Sequence, residues 1–523
     1  MKRLAKYIIV ITTVSAAIME LVDTSIVNVA ISDMAGSLGV SIEDISWVIT
    51  SYAIANVIII PLTSFLAEYF GRKNYYIASM IIFTFASYMC GQSTGLVEII
   101  IWRFVQGVGG GALLSTSQAI LFDAFTEKER PIASGLFGMG LVFGPTFGPT
   151  VGGFIIEHYN WPLIFMINVP IGFVATILAY TFVEKKDKEG EHKKGMYIDY
   201  TGILFLAAGI GCLQYVLERG EAEDWFSSNS IRICAVIAAI GLASFIIREL
   251  SIAKPAVNLR VLGNRNLTFT TLFTFVAGFG LFTSVFVYPV LAQRVLGFTA
   301  YETGVSLLAP TFIGVLTMPL IGKLMSKGVT SLPFVIIGFI LFAVYSVLTA
   351  KVSPDVGRWA FFTPLAIRAF GISMVMLPLI NQAVAGLAPK DYPSGIALNN
   401  MIRQLGGAFG IAIANNFIAH HYAMHRTNLV SNLTQNSPEF MQRLHTISQS
   451  LTARTGIDSA SAAHSALAIV NSQVERQAYY LSYLDAFHLI AIFFIAVIPF
   501  AGFLRTKKKT FNKEAAAAMM EAH

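Results

Sequence analysis

The sequence predicts an all-α integral membrane protein with fourteen transmembrane helices, twelve of them in two pseudo-symmetric six-helix bundles. The chain of 523 residues is 55% hydrophobic and only 13% charged, and its mean hydropathy is +0.66. Soluble globular proteins do not have this composition. Apolar runs of about 17–25 residues, each long enough to cross a bilayer, recur along the chain. The Lys and Arg residues gather in alternate loops between these runs, as membrane topology requires.

Fourteen such runs divide the chain in a 6+2+6 pattern. We expect residues 1–184 to form an N-terminal six-helix bundle, 185–265 a basic linker with two inserted helices, and 266–523 a C-terminal six-helix bundle. A polar segment over about 419–481 lies outside the membrane before the last span and is expected to form a helical hairpin. The predicted spans are roughly 8–31, 46–67, 75–94, 97–122, 131–156, 162–183, 199–217, 230–249, 266–290, 302–323, 332–350, 359–387, 394–418 and 482–504.

The distribution of basic residues predicts the orientation. Placing both termini in the cytoplasm puts most of the 36 Lys and Arg residues on that side of a cell inner membrane. The net charge of +6 therefore reflects topology and not binding of nucleic acid. Met1–Lys6 imitates the start of a signal peptide, but the apolar run after it continues to about Ile31 without a cleavage site. We interpret it as the first span.

The run from Gly140 to Gly153 departs furthest from an ordinary helix. Its glycines recur every four residues and leave one helix face without side chains, while its prolines remove two backbone hydrogen bonds. In lipid, such a face favours close contact with another helix. It is either a packing seam alone or a hinge about which a transporter rocks. The residues concerned are Gly140, Gly144, Pro145, Gly148, Pro149, Gly152 and Gly153.

Two carboxylates in the first span, Glu20 and Asp23, are three residues apart and share a helix face. Asp23 lies about 25 Å into a hydrocarbon core of about 30 Å. Ionisable groups at such depth usually serve a cavity, a partner or a proton path. Arg103, at a matching depth in the fourth span, is the predicted partner, and together with Glu20 the pair is a candidate for proton coupling. An ion pair that only holds helices together is the alternative.

Other polar residues are candidates for a cavity and for a gate. Arg368 and Arg403 could line a polar cavity in the second half or pair across the bundle. The turn after the second span, with Glu68, Gly71 and Arg72, predicts paired charges that latch one conformation, or simply a basic cytoplasmic loop. The full set of cavity candidates is Asn28, Gln106, Asn400, Arg403 and Gln404.

The sequence favours transport over enzymatic function. The glycine-rich runs lie in apolar spans without a phosphate-binding signature, and no Ser/His pair or metal-ligand spacing is recognisable. The three cysteines lie in apolar runs. In His420–His425, the neighbouring histidines do not share a helix face and no carboxylate follows nearby, so we do not expect a metal site there. We expect no cofactor, and energy from the proton-motive force.

Several segments in order resemble the fourteen-helix drug:proton antiporters (DHA2) of the major facilitator superfamily. They are Asp23–Ile31, the turn ending Gly71–Lys73, Arg103–Gly107 and the doubled Gly-Pro of Gly144–Pro149. The resemblance implies a major facilitator fold and proton-coupled efflux of hydrophobic or amphipathic drugs by alternating access. Multidrug-exporting members of this type work with a periplasmic adaptor and an outer-membrane channel, and 419–481 is where such a partner would dock.

Two departures from the family pattern bear on mechanism. Ser64 and Glu68 stand where the turn motif usually has glycine and aspartate, although Glu68 keeps the charge. Glu20 is an additional carboxylate that could change the proton stoichiometry or favour cationic substrates. The alternative function is an exporter of the same fold that works alone on one cargo, such as a fatty acid, a siderophore or a metabolite.

Overall fold

The computed structural model describes residues 3–184, 198–354, 356–431, 433–434 and 437–504. The predicted basic linker after Glu184 and the C-terminal basic cluster at 505–509 lie outside these residues. Every long element in the described chain is a helix. The α-helices are α1 (Arg3–Leu38), α2 (Ile42–Ile45), α3 (Trp47–Phe70), α4 (Arg72–Gln92), α5 (Leu96–Ala124), α6 (Arg130–His158), α7 (Leu163–Met166), α8 (Asn168–Phe182), α9 (Tyr200–Arg219), α10 (Asn229–Ser251), α11 (Arg265–Arg294), α12 (Ala300–Ser326), α13 (Ser331–Thr349), α14 (Phe362–Gln382), α15 (Tyr392–Ser431), α16 (Pro438–Thr455) and α17 (Ser459–Val497).

Within the described chain, twelve helical segments are long and apolar enough to cross a membrane. This count is two lower than the fourteen predicted spans. The helices that are missing from it are α4 and α15, whose polar residues lower their hydropathy. Both nevertheless pack within the bundle, α4 against α5 and α8, and α15 against α11 and α17. Some of their polar residues are turned inward: Ser79 and Ser87 of α4 are buried, and so are Asn399, Asn400 and Arg403 of α15.

Helices α1–α8 and α11–α17 are called the N-half and the C-half below, by chain order; the predicted domain boundaries themselves remain a prediction. The two groups meet along α6 and α12, which pack on each other over their length. At one end Gly322 packs against the Pro131 carbonyl, and at the other the Thr150 hydroxyl donates to the Gly304 carbonyl at 2.8 Å. Glycine lets the two backbones approach closely at both ends.

The inserted helices α9 and α10 pack on each other, and α9 packs on α3. Gly209 and Gly241 face each other at their crossing. At the far end of the bundle, opposite the end where α1 begins, Arg219 donates to the Glu43 carbonyl at 2.8 Å and lies over the Trp47 ring. These contacts attach the inserted pair to the N-half.

The described residues of the segment 419–481 are mostly helical, with short non-helical stretches at 433–434, 437 and 456–458. It comprises the end of α15, all of α16 and the start of α17, so the two outer helices extend well beyond the predicted spans 394–418 and 482–504. Tyr422 stacks on Tyr479 at 4.0 Å between ring centroids, and α16 packs on α17. The Asp458 carboxylate caps the start of α17 by accepting from two backbone amides. The helices therefore project from the far end as one packed unit.

Candidate functional site

Asp23 is the centre of a buried polar network. Its carboxylate has no exposed surface and accepts three side-chain hydrogen bonds. Arg103 Nη1 donates to Oδ2 at 2.5 Å, while Gln106 Nε2 and Asn168 Nδ2 donate to Oδ1 at 2.8 and 3.0 Å. The donors come from α5 and α8, so three helices meet at this one carboxylate. Charge-assisted bonds of this kind are about twice as strong as neutral ones.

Arg103 is held as tightly as its partner. Its side chain is 1% exposed, its Nε donates to the Val48 carbonyl at 3.0 Å, and Nη1 also donates to Gln106 Oε1 at 2.8 Å. The guanidinium carbon lies 4.2 Å from the centre of the Tyr52 ring. A planar fork of donors can bind a carboxylate, a carbonyl and an amide at once, which an ammonium cannot do in the same geometry.

Ser87 and Asn168 belong to this network, although sequence analysis assigned them no role. Ser87 accepts from Gln106 at 3.0 Å and from Asn168 at 3.1 Å, and it donates to the Phe165 carbonyl. Both are polar residues in otherwise apolar runs, and this feature of the sequence could have indicated a role in the site. Their convergence on Asp23 depends on how α4 and α8 pack, and spacing along the chain does not reveal it.

Glu20 lies one turn before Asp23 but has different neighbours. It is 4% exposed, and its Oε1 accepts from Asn56 of α3 at 3.3 Å. Its other oxygen has no hydrogen-bond partner among the described residues. On the side of the C-half, Glu20 interacts electrostatically with the positively charged Arg403. The two carboxylates of α1 therefore face different surroundings: Asp23 the interior of the N-half, and Glu20 the interface between the halves.

The remaining cavity candidates differ in position. Asn400 crosses the interface and donates to Ser115 at 3.1 Å and to Gln118 at 3.4 Å. Gln404 is half-buried and Asn28 is exposed. These residues do not converge on one point.

Arg368 occupies a place in the C-half that is comparable to that of Arg103. It donates to Ser284 at 3.1 Å, and the hydroxyl groups of Tyr288 and Tyr345 lie near enough to affect it electrostatically. Arg368 thus has a hydroxyl group as its hydrogen-bonding partner, whereas Arg103 has a carboxylate. Within the described residues, the N-half contains a buried carboxylate–guanidinium ion pair and the C-half does not.

The predicted gate lies at the near end, where α1 begins. Gly71 has a φ of 82°, which favours glycine, and allows α4 to start directly after α3. Arg72 forms an ion pair with Asp123 at the end of α5, a residue that sequence analysis did not single out. Glu68, Arg72 and Asp123 all line a cavity of about 1110 Å³ at this end. Its rim also includes Lys254 and Lys390.

A second ion pair at the near end joins Lys6 to Glu129, with 2.8 Å between Nζ and Oε2. The hydrogen bonds from Lys6 and Thr126 lower the pKa of Glu129 to about 2. Glu129 therefore stays charged throughout the physiological pH range and cannot itself act as the proton-exchanging group.

The glycine face of α6 packs against α1. The helix continues through Pro145 and Pro149, both buried. A methyl group added at Gly148 would overlap the Ser25 hydroxyl, and one added at Gly144 would lie 2.6 Å from Leu21 Cβ. Gly140 and Gly152 face Ile18 and Ile26 of the same helix, whereas Gly153 faces the Ala300 backbone of α12. The predicted close-contact seam therefore has α1 on one side and the C-half on the other.

The histidines of the projecting segment are held within it. His425 Nε2 lies 2.7 Å from Asp485 Oδ2, and a His421 ring nitrogen lies 2.9 Å from the Phe417 carbonyl. Within the described residues, no group of three or more His, Cys, Asp or Glu side chains could hold a metal ion.

A bundle of membrane-spanning helices with a buried charge pair and a tightly packed seam between two halves defines a membrane transporter. The family model described as "Major Facilitator Superfamily" matches residues 13–411, and the chain belongs to that superfamily. Its members are transporters and not enzymes. The chain is accordingly a multi-pass membrane protein of this class.

Two relatives and one solved structure place the chain more closely. It is 34% identical to the "Multidrug export protein EmrB" of Escherichia coli (strain K12) over 426 residues, which cover 81% of this chain and 82% of the relative. It is 29% identical to the "Fatty acid resistance protein FarB" of Neisseria gonorrhoeae over 92% of this chain and 93% of that protein. The crystal structure of the human organic anion transporter MFSD10 (TETRAN) superposes with a TM-score of 0.54 at 12% identity, covering 94% and 99% of the two chains. That last likeness concerns the fold alone.

Proposed function

We propose that the protein exports hydrophobic or amphipathic compounds, drugs among them, in exchange for protons that flow inward. The observation that carries this proposal is the buried Asp23–Arg103 pair, whose carboxylate lies deep in a membrane span and accepts its hydrogen bonds from three polar side chains. Residues of this kind mark proton paths and substrate paths in membrane proteins. The multidrug export relatives support drugs as the substrate class.

In this mechanism, Asp23 exchanges the proton. When it is ionised it holds Arg103, Gln106 and Asn168, as observed. When it is protonated it loses the charge that Arg103 pairs with, and the guanidinium is free to adopt a different set of contacts. A proton bound from one side of the membrane thus changes the packing of α1 on α5 and α8. Differential stabilisation of two conformations is what couples a ligand to a structural change.

The seam and the gate support a mechanism of alternating access. We propose that α6 and α12 rock against each other on their small-residue surfaces, while the Arg72–Asp123 pair and Glu68 hold the near end in one of the two states. Rocking of two halves around a central site is how transporters of this architecture expose it to either side.

We further propose the membrane topology. The near end faces the cytoplasm of a cell inner membrane, both termini lie there, and α4 and α15 cross the bilayer with the twelve more apolar segments, which gives fourteen spans. The inward-facing polar side chains of α15 support its inclusion, since such groups are tolerated in lipid only inside a bundle.

The projecting helices at the far end then lie in the periplasm. We propose that α16 and the adjoining parts of α15 and α17 dock a membrane-anchored, EmrA-like adaptor, which links the permease to an outer-membrane channel. Purification of the permease from cells that co-express a candidate adaptor, with and without residues 438–455, tests this. Retention of the adaptor by the shortened chain would contradict it.

The second candidate is an exporter of a single cargo that works alone. The fatty acid resistance relative, which matches almost the whole chain, favours a fatty acid as that cargo. Substrate competition decides between the two: a dedicated exporter discriminates between the fatty acid and unrelated lipophiles, whereas a multidrug exporter does not.

The test of the main proposal is dye uptake into everted membrane vesicles under an imposed pH gradient, because the cytoplasmic side of the protein faces the medium in such vesicles. The native protein is expected to transport a lipophilic dye when the gradient is present, and Asp23→Asn is expected to abolish this. Asp33→Asn, an exposed aspartate on the same helix, is the matched control. Equal transport by native protein and Asp23→Asn would assign Asp23 a structural role only. Glu20→Gln, compared for its pH dependence, tests whether a second carboxyl takes part.

A further inference from the structure

Arg403 is a buried cation for which the described chain provides no complete set of partners. It lies in α15 with 5% of its side chain exposed, and its Nε has no hydrogen-bond partner among the described residues. The acid whose charge acts on it is Glu20, across the interface in α1. Leaving a buried guanidinium incompletely paired costs several kcal/mol. Such a group is expected to meet a partner that the chain itself does not supply.

Other unpartnered polar atoms surround this position. Asn399 lies one turn before Arg403 on the same face of α15, and Asn56 already binds Glu20 through its amide nitrogen. Asn400 joins α15 to α5 through Gln118. The atoms at this interface that have no partner in the described chain are Glu20 Oε2, Tyr52 OH, Asn56 Oδ1, Gln118 Nε2, Asn399 Oδ1 and Arg403 Nε. Both halves contribute to the set, as the lining of a site between them requires.

The backbone of α15 fixes Arg403 in place. A methyl group added at Gly278 of α11 would overlap the Arg403 carbonyl oxygen, and one added at Gly406 would overlap the Phe275 carbonyl. The helix therefore lies directly on α11 and cannot retreat from the interface. Its guanidinium is held towards the N-half, where Glu20 lies.

The apolar side chains in the same turns of α15 face another way. Leu398, Met401 and Leu405 are buried and pack in one cluster with Val57 and Ile60 of α3. They lie on the face of α15 opposite Arg403. The face that carries Asn399 and Arg403 is therefore the polar face of this part of the helix.

We propose that Arg403 binds the carboxylate of an organic acid, with Gln118 Nε2 and Tyr52 OH as further donors. This inference rests on the proposed export function and names a substrate class for it. The planar guanidinium fork matches a carboxylate in two parallel hydrogen bonds. A lipophilic cation would instead be repelled by it. Arg403 is thus a specificity-determining residue for anions.

Glu20 limits the affinity of this site for an anion. Its carboxylate faces the same guanidinium and repels a second negative charge. Replacement of Glu20 by Gln keeps a hydrogen-bonding group beside Asn56 and removes the charge. The two residues therefore act in opposite directions: loss of Arg403 weakens anion binding, and loss of the Glu20 charge strengthens it.

The test is equilibrium binding of two fluorescent probes to the purified full-length protein, the anion dansylundecanoate and the cation ethidium. Arg403→Gln is expected to weaken dansylundecanoate binding about tenfold or more, as for a lost charge-assisted bidentate contact, and to leave ethidium binding unchanged. Arg403→Lys, which keeps the charge without the fork, is expected to fall between. Glu20→Gln is expected to bind dansylundecanoate more tightly than the native protein.

Each remaining outcome has a definite meaning. Equal losses for both probes, with a lowered unfolding temperature, would make Arg403 structural and overturn the inference; Arg403→Lys then shows the same losses. Ethidium binding without dansylundecanoate binding in the native protein also overturns it, while the export function stands. Binding of neither probe removes the proposed function itself. Displacement of dansylundecanoate by phosphatidylglycerol, but not by unlabelled undecanoate, would assign the site to a lipid head group and overturn the substrate assignment.

Discussion

Gly148 of α6 lies so close to Ser25 of α1 that a methyl group added at Gly148 would overlap the Ser25 hydroxyl oxygen. The Val22 carbonyl lies 2.9 Å from the same point. Two backbones are therefore in contact on the face of α6 that points away from the C-half. Helix α6 therefore supports both α1, which carries Asp23, and the contact between the two halves.

The first prediction concerns Gly148→Ala. Overpacking at this point is expected to destabilise the protein by about 1–3 kcal/mol and to push α1 from α6, so that dye efflux falls strongly. Gly140→Ala is the matched control, since its added carbon would meet Ile18 Cγ1, a side-chain atom, at 3.1 Å. Thermal unfolding and dye uptake into everted vesicles measure both effects.

Ser25→Ala added to Gly148→Ala provides a check on the cause. It removes the overlapping hydroxyl and leaves the Val22 carbonyl, so partial recovery of stability is expected. Equal effects of Gly148→Ala and Gly140→Ala, or no recovery in the double variant, would mean that the close contact with α1 is not what matters.

The second prediction separates stability from coupling at the Asp23–Arg103 pair. Arg103→Gln leaves a buried carboxylate without its cation, and an expected loss of about 3–5 kcal/mol lowers the unfolding temperature. Asp23→Asn combined with Arg103→Gln removes both charges and is expected to recover much of that loss, yet to remain inactive in gradient-driven efflux. Arg232→Ala, an exposed arginine in α10, is the control. Recovery of efflux together with stability would show that the pair is structural.

Much of the fold could be predicted from apolarity alone, because a helix that faces lipid must be apolar along its length. The limits of this argument are seen in α4 and α15. Their polar residues pack against other helices, so hydropathy does not identify them as clearly as their neighbours. A helical hairpin was expected over 419–481, but the sequence did not show that α15 and α17 continue into it without a break, since a helix that leaves the membrane and stays packed on a partner has no apolar boundary to mark it.

The candidate site was predictable where one helix carries the information. Depth along a span was enough to propose that Arg103 reaches Asp23, and these side chains are in contact. Depth along a span could not identify Asn168 or Asp123 as site residues, because each contacts its partner only through the packing of helices that are distant in the sequence. For the same reason, sequence left open whether Arg403 lines a cavity or pairs across the bundle, and the structure places it opposite Glu20. The functional roles of all these residues remain predictions.

The third prediction concerns the gate. The Arg72–Asp123 pair is partly exposed, so its contribution to stability is expected to be below about 1 kcal/mol. Asp123→Asn is therefore expected to change the rate of efflux far more than the unfolding temperature, because in the proposed mechanism this contact is made in only one conformation. Arg72→Asp combined with Asp123→Arg is expected to restore part of the rate. Glu157→Gln, an exposed acid at the far end, serves as the control. A rate that is unchanged in Asp123→Asn would exclude this pair from gating.

The fourth prediction tests Asn168, which links Asp23 to Ser87. Asn168→Ala removes one of the donors to Asp23 Oδ1 and leaves the Gln106 bond. A lost hydrogen bond to a charged group costs about 1.5–3 kcal/mol, so the contact of α8 with the Asp23 carboxylate is weakened. Gradient-driven efflux is therefore expected to fall while the protein stays folded, because Arg103 and Gln106 still bind Asp23. Efflux and the unfolding temperature are measured together, with Asn160→Ala as an exposed control. Efflux equal to that of the native protein would mean that Asn168 takes no part in the coupling.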